Sequence, residues 1–415
     1  MALGGAMVDA LERGHTRVQG FRDPEMDHQL MRQLGSVRYG GASIGECLAA
    51  AARIRDADPV SWIEEFAEAG RRQSEDAALR ARNGHAVSAR DQYLVACNSY
   101  RAAEYYCPVD DPRHREYGLA SRQAFMSAMQ WDEASCVELW FSHQGLRLPA
   151  YHIRGARGPA NRILMIVSGF DGTLEESYIA YGRPALERGY DLLLFTGPGQ
   201  MDAWRFDAAS HFAPDFEVVG RQATDYALAQ SGMDPRRVAL MGISFGGYFA
   251  SRIAAHEPRI GALIANSPIV DLHAYMSSFV GFDPASLPES DDFGVADLEH
   301  IPEAEMNAQT RVMARNLMLR FGRPTFGQTY RRILDFKLSA DGLAAIRCPS
   351  LALVGEGEGA EPLRQWRVFQ DAVGGLCTPR LFTALEGADA HCQAGNLSYS
   401  AAVAMDWLDE TVGAP

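Results

Sequence analysis

The chain reads as an α/β protein, a mostly parallel sheet with helices on both faces, preceded by an all-helical N-terminal region. Three observations carry this. Short apolar runs, "RILMIVSG", "DLLLFTG", "RVALMGIS", "ALIANSPI" and "SLALVGEG", alternate with helical segments, the grammar of buried parallel strands joined by crossover helices. Residues 1–134 show almost no strand-like alternation and repeat Leu, Ala and aromatic residues at helical spacing instead. Within "VALMGISFGGYFASR" an apolar strand becomes a helix through a serine boxed in by glycines, and so abrupt a turn strains its central residue and needs small neighbours.

In chain order, the helical region is broken at Asp58-Pro59 and Asn83-Gly84 and ends near Pro108. From about Ser135, "CVELWF", a "SHQG" turn and "LRLPAYHIRG" form two alternating runs expected to pair as a hairpin. The strand–helix alternation follows, so that 135–415 reads as the sheet domain. Residues 271–343 interrupt its rhythm with Pro, Asp and aromatic residues. They are expected to form an insertion over the strand ends, where ligands bind in such sheets.

Composition narrows the function classes. A length of 415 residues with 47% hydrophobic and 22% charged residues allows a sizeable core and excludes large-scale disorder. A formal net charge of -14 without a Lys/Arg run argues against a nucleic-acid partner. The start, "MALGGAMVDALERGHTRVQGF", lacks a basic n-region and a continuous apolar core, and no later stretch has the length of a membrane span. A cytoplasmic protein with no membrane partner is the expectation. The 7 cysteines are scattered without a CxxC pair, which suggests neither a disulfide framework nor a metal site.

The chemistry is expected around Ser244. A serine hydroxyl is a weak nucleophile until a base takes its proton and a third group orients that base. In a nucleophile elbow of the α/β-hydrolase type these groups follow in the order serine, acid, histidine. "SLALVGEGEGAEPLRQW" is a strand followed by carboxylates on the same sheet edge, and Glu358, three residues after the strand-ending Gly355, stands in the acid's place. Glu356 and Glu361 are neighbours that could be confused with it. Further on, "LEGADAHCQAGN" places His391 in a loop ahead of a helix. The oxyanion of acyl transfer needs backbone N–H donors: Phe245, directly after the serine, and Phe170 of "VSGFDGT" are assigned to it. Asp171 either braces that loop beside the substrate or caps the next helix. Tyr275, Phe279, Phe282 and Phe326 are expected to wall a pocket or to pack the insertion.

The helical half with "SIGECLAAAARIRDADPVSWIEEF" and "SARDQYLVACNSYRAAEYY", followed by "SGFDGTLEES", "GPGQ", "GISFGGY", "GEGEG" and "GADAHCQAGN", resembles the α/β-hydrolase family that contains 2,6-dihydroxypseudooxynicotine hydrolase and the fungal polyketide chain-shortening hydrolase of melanin pathways. The likeness spans nearly the whole chain. It implies Ser244 as nucleophile, His391 as base, Glu358 as acid, and residues 1–134 as a helical cap over the site. It also implies cleavage of a carbon–carbon bond next to a ketone, or of an ester or lactone, without metal or organic cofactor. Ser168 departs from the family's usual Gly, "GPGQMDA" replaces a PGQG-type sequence, and the acid is Glu where most α/β-hydrolases have Asp. The expectation is a serine hydrolase of secondary metabolism or aromatic catabolism, acting on a small molecule, with a second copy of the chain as homodimer partner. The rivals are acyl transfer or cyclisation on the same triad, and a binding protein without chemistry. Incorporation of solvent oxygen into product separates hydrolysis from cyclisation.

Overall fold

The computed structural model describes residues 13–155, 161–230 and 233–413. The reading of the chain start as no leader therefore lies, over residues 1–12, outside the described residues.

Five helices come first: α1 (Pro24–Gly35), α2 (Ile44–Ala51), α3 (Pro59–Arg82), α4 (Ala86–Tyr106) and α5 (Pro112–Met129). Three of them begin alike, with Asp at the N-cap and Pro at the first helical position. The carboxylates of Asp23, Asp58 and Asp111 accept from the N–H groups of Met26, Val60 and Arg113, and the proline gives up an N–H that would have had no partner. The Asp58-Pro59 break in the sequence pattern is thus a helix start. Trp62 and Phe66 of α3 bury against Tyr106 of α4 and Leu30 of α1, forming a core separate from the sheet's.

The sheet has eight strands: β1 (Ser135–His143), β2 (Leu146–Arg154), β3 (Ile163–Val167), β4 (Asp191–Phe195), β5 (Val238–Ile243), β6 (Ala262–Asn266), β7 (Ser350–Gly355) and β8 (Cys377–Phe382). Their spatial order is β1-β2-β4-β3-β5-β6-β7-β8. β1 and β2 form the expected hairpin, closed by Gln144 and Gly145, both at positive φ, as a two-residue loop requires. β2 runs antiparallel to β4 and all later pairings are parallel. Side chains alternate between two cores: Met165, Leu193 and Leu240 face one side, Leu164, Leu192 and Met241 the other, the period-2 consequence of the pleat. Burial on both faces is why these strands read as continuous apolar runs.

From β3 the chain steps to β4 on one side and to β5 on the other, so a crevice opens at the carboxyl ends of the strands. The segment between β6 and β7 adds helices Leu272–Ser277, Ala308–Phe321, Phe326–Ile333 and Ala340–Ala344. Among the described residues no helix is long and apolar enough to cross a membrane.

Candidate active site

Ser244 follows β5 directly, with φ of 60°, and helix Gly246–His256 starts two residues later. The turn closes so tightly that a Cβ on Gly242 would stand 2.0 Å from the Gly246 carbonyl oxygen. Glycine is therefore required there, and the serine is left to occupy the left-handed region.

His391 stands on the loop after β8. Its Nε2 is 2.8 Å from Ser244 Oγ and its Nδ1 is 2.6 Å from Glu358 Oε2. Glu358, 4% exposed, is fixed from two further sides: Ser267 Oγ donates to both carboxylate oxygens at 2.8 and 3.0 Å, and the Gly355 N–H donates to Oε1 at 2.8 Å. Of the three neighbouring glutamates it alone meets His391. Glu356 accepts the Ala384 N–H at 2.6 Å, and Glu361 pairs with Arg364 at 2.6 Å.

Burial disfavours the charged imidazole of His391, whereas the Cys392, Tyr275 and Glu358 groups around it favour that form, and the balance lies well above its usual 6.5. Burial pushes the Tyr275 phenol up to about 12, so it is neutral at working pH. The Glu358 carboxylate is the charge that supports His391.

The loop after β3 presses against the serine: a Cβ on Gly169 would lie 2.7 Å from Ser244 Cβ. Among the described residues the N–H groups of Phe170 and Phe245 donate to no protein acceptor. Both predicted oxyanion donors are thus free beside Ser244. Gln200, in the "GPGQ" stretch, holds this loop: its Nε2 donates to the Ser168 and Gly169 carbonyls at 2.6 and 3.3 Å, and its Oε1 accepts the Gly197 N–H at 2.7 Å. Nothing in the "GPGQ" motif itself signals this bracing role of Gln200.

Asp171 does not cap the next helix. Thr173 does, accepting from the Glu176 N–H, because the helix begins two residues later than a cap at Asp171 would allow. Asp171 instead faces the cavity and meets Arg32 of α1 at 3.3 Å. Burial opposes its charge, yet Arg32, Arg13 and Arg101 bring its carboxyl down to about 2.

Above Ser244 is a cavity of about 660 Å³, lined from one side by α1 and α4 and from the other by the segment between β6 and β7. Tyr275, Phe279, Phe282 and Phe326 all line it. The Tyr275 hydroxyl lies 3.5 Å from His391 Nδ1, and its ring packs edge-on against Phe279 at 5.1 Å. Of the other acids near the site, Glu176 is bound to Arg32 and Asp271 to Lys337, while Glu175 is buried against Arg205 and Tyr151.

One part of the site had no signal in the sequence. Residues 13–16 thread between the acid loop and the histidine loop. The His391 N–H donates to the Arg13 carbonyl at 2.8 Å, and Asp389 accepts the His15 and Thr16 N–H groups at 2.5 and 3.1 Å. A Cβ on Gly357 would come within 2.8 Å of Gly14 Cα.

Fold and site together define a hydrolase built on an α/β sheet. The chain belongs to the α/β-hydrolase family. It is 32% identical to the α/β hydrolase pydG of Acremonium sp over 362 residues, 81% of this chain and 82% of that protein. It is 31% identical to the hydrolyase poxO of Penicillium oxalicum over 360 residues, 80% and 82% of the two chains. The sequence model of the prolyl oligopeptidase family matches residues 202–309, which include Ser244. Among solved structures, 2,6-dihydroxy-pseudo-oxynicotine hydrolase superposes with a TM-score of 0.71 at 19% identity, over 91% of this chain and 95% of that one.

Proposed function

We propose that the protein hydrolyses a partly apolar ketone of secondary metabolism, breaking a carbon–carbon bond through a Ser244–His391–Glu358 triad. The observation that carries this is the unbroken hydrogen-bonded line from Glu358 through His391 to Ser244 Oγ, at the floor of a cavity walled largely by apolar side chains. Residues 1–134 act as the cap of that cavity and 135–415 as the catalytic domain.

Ser244 Oγ adds to the substrate carbonyl as its proton passes to His391 Nε2, and the imidazolium is held by Glu358. The Phe170 and Phe245 N–H groups take the oxyanion. When the carbon–carbon bond breaks, its electron pair leaves with the departing carbon, and His391 returns the proton to that carbon. Water, activated by the same histidine, then frees the acyl group from Ser244. One feature favours a carbon leaving group over an ester's. A carbanion must be protonated as it departs, and Tyr275, neutral and in contact with His391, offers a second donor at that point. The other acids named above are tied up in ion pairs.

The test is Ser244→Ala. Turnover should fall by about 10⁴ to 10⁶ in kcat, the range for loss of a triad nucleophile, with unchanged folding. A fluorophosphonate probe should label the wild type at Ser244 and spare the variant. Labelling at another serine, or retained activity, removes the proposal. Rapid turnover of p-nitrophenyl esters with no Ser244-dependent cleavage of 1,3-diketones would leave an esterase.

A further inference from the structure

Of the five buried arginines among the described residues, four meet a carboxylate: Arg101 meets Glu176, Arg122 meets Glu138, Arg162 meets Asp409, and Arg205 meets Glu104. The fifth, Arg320 on helix Ala308–Phe321, is 1% exposed and has no carboxylate at ion-pair distance among the described residues. One edge of its guanidinium is occupied, since Nε and Nη2 donate to the Gly199 carbonyl at 2.8 and 2.5 Å. Nη1 has no protein partner among the described residues, and the side chain lines the cavity. The guanidinium lies over the ring of Phe170, 4.1 Å from its centroid. Burial brings Arg320 down to about 9, opposed only at longer range by Asp171, Glu104 and Asp202. A buried cation without a counter-charge is unfavourable unless a ligand supplies that charge.

The geometry points to Arg320 as the site that takes a second oxygen of the substrate, the other carbonyl oxygen of a 1,3-dicarbonyl, and stabilises it as the enolate that departs. This rests on the reading of Ser244 as nucleophile. Ser244 Oγ bonds to the first carbonyl carbon. When the bond from that carbon to the central carbon breaks, the electron pair passes to the central carbon and is shared onto the second carbonyl oxygen, at Arg320. His391 then protonates the central carbon, a neutral ketone leaves, and water hydrolyses the acyl group from Ser244. The oxygen at Arg320 is neutral in the bound substrate and negative as the bond breaks, so the contact strengthens toward the transition state. An ester, whose leaving oxygen needs no second carbonyl, gains nothing from it.

The experiment uses the Ser244→Ala protein, so that bound ligand is not consumed, with 1-phenylbutane-1,3-dione as probe and its enolate absorption as readout. The bound dione should ionise with an acid dissociation constant raised about tenfold or more over that in water, the size of a charge-assisted hydrogen bond in a buried site. Adding Arg320→Met should abolish this shift and weaken dione binding about tenfold or more, while 1-phenylbutan-1-one, which lacks the second oxygen, binds both proteins within about twofold. An unshifted ionisation, no binding of the dione, or equal losses for both ligands would each overturn the assignment, the last by showing that Arg320 only braces Gly199. If Arg320→Met does not fold, Arg320→Gln, which keeps a donor for the Gly199 carbonyl but removes the charge, takes its place and should lose the ionisation shift in the same way. Ser244-independent turnover in the wild type would instead defeat the nucleophile reading and leave the ionisation result standing.

Discussion

At the scale of single residues, the state of His391 sets the pH dependence. Its imidazole is held above its usual 6.5, so the free enzyme keeps its base protonated at pH values where an ordinary histidine is neutral. The acid limb of kcat/KM should therefore lie alkaline of 6.5, with activity rising as pH rises and His391 loses its proton. Glu358→Gln removes the supporting carboxylate 2.6 Å away. It should move that limb to lower pH and cut the maximal rate by about 10² to 10⁴. Glu356→Gln and Glu361→Gln should leave the limb in place, because neither side chain meets the histidine. Profiles of the three variants decide the matter, and a limb moved by Glu356→Gln would reassign the acid. Ser244 was legible because an elbow is local, made by a few consecutive residues. The choice among three glutamates was not, because it depends on the 3-10 turn Glu356–Glu358 and on Ser267 from another strand end.

Secondary-structure elements were legible in proportion to how locally they are determined. Strands buried on both faces are written as consecutive apolar residues, and the helices between β6 and β7 fall where the sequence breaks that rhythm. The thread of residues 13–16 belongs to no helix or strand and meets its partner Asp389 373 positions away, so no periodicity reports it. Its contribution can be measured through Asp389, which is fully buried. Burial opposes the charge on this carboxylate, but Thr16 and the His15 and Thr16 N–H groups hold its pKa below the usual 3.8. A depressed folded-state pKa contributes stability that is present above the unfolded value and is lost as pH falls through the folded one. Asp389→Asn should cost about 1–3 kcal/mol at pH 7, as expected for hydrogen bonds to a buried charge. It should also lower kcat by loosening the His391 loop. In urea unfolding followed down the pH scale, the gap to wild type should close as Asp389 is protonated. A gap independent of pH would mean that the thread is held by packing alone.

For the whole molecule, one buried charge cluster ties the N-terminal helices to the sheet. Arg205 donates to Glu104 of α4 at 2.7 Å, to Asp202 at 2.9 Å and to Glu175 at 3.3 Å. Tyr151 of β2 donates to Glu175 at 2.8 Å and in turn takes a hydrogen bond from Arg122 of α5. Three carboxylates crowd one guanidinium, and burial together with the charge of Glu175 pushes Asp202 well above its usual 3.8. Asp202 is then the member that keeps its proton. Because its folded-state pKa is raised, the folded protein binds more protons than the unfolded chain between the two values, and stability falls as pH rises through that window. Asp202→Asn should flatten this slope and leave the protein as stable as wild type or more so at pH 7. Arg205→Met should cost about 3–5 kcal/mol, because it leaves Glu104 and Glu175 buried without their central cation. Denaturant unfolding of both variants between about pH 5 and 8 tests the pair. An Asp202→Asn loss as large as that of Arg205→Met would show that Asp202 is ionised in the folded state. The cluster also bears on catalysis, since α1 and α4 form one wall of the cavity and this docking, together with the Arg32 pairs to Asp171 and Glu176, holds that wall over Ser244. Arg205→Met should therefore raise KM for a large apolar substrate more than it lowers kcat, whereas a loss confined to kcat would place the cluster's influence in the loop carrying Phe170.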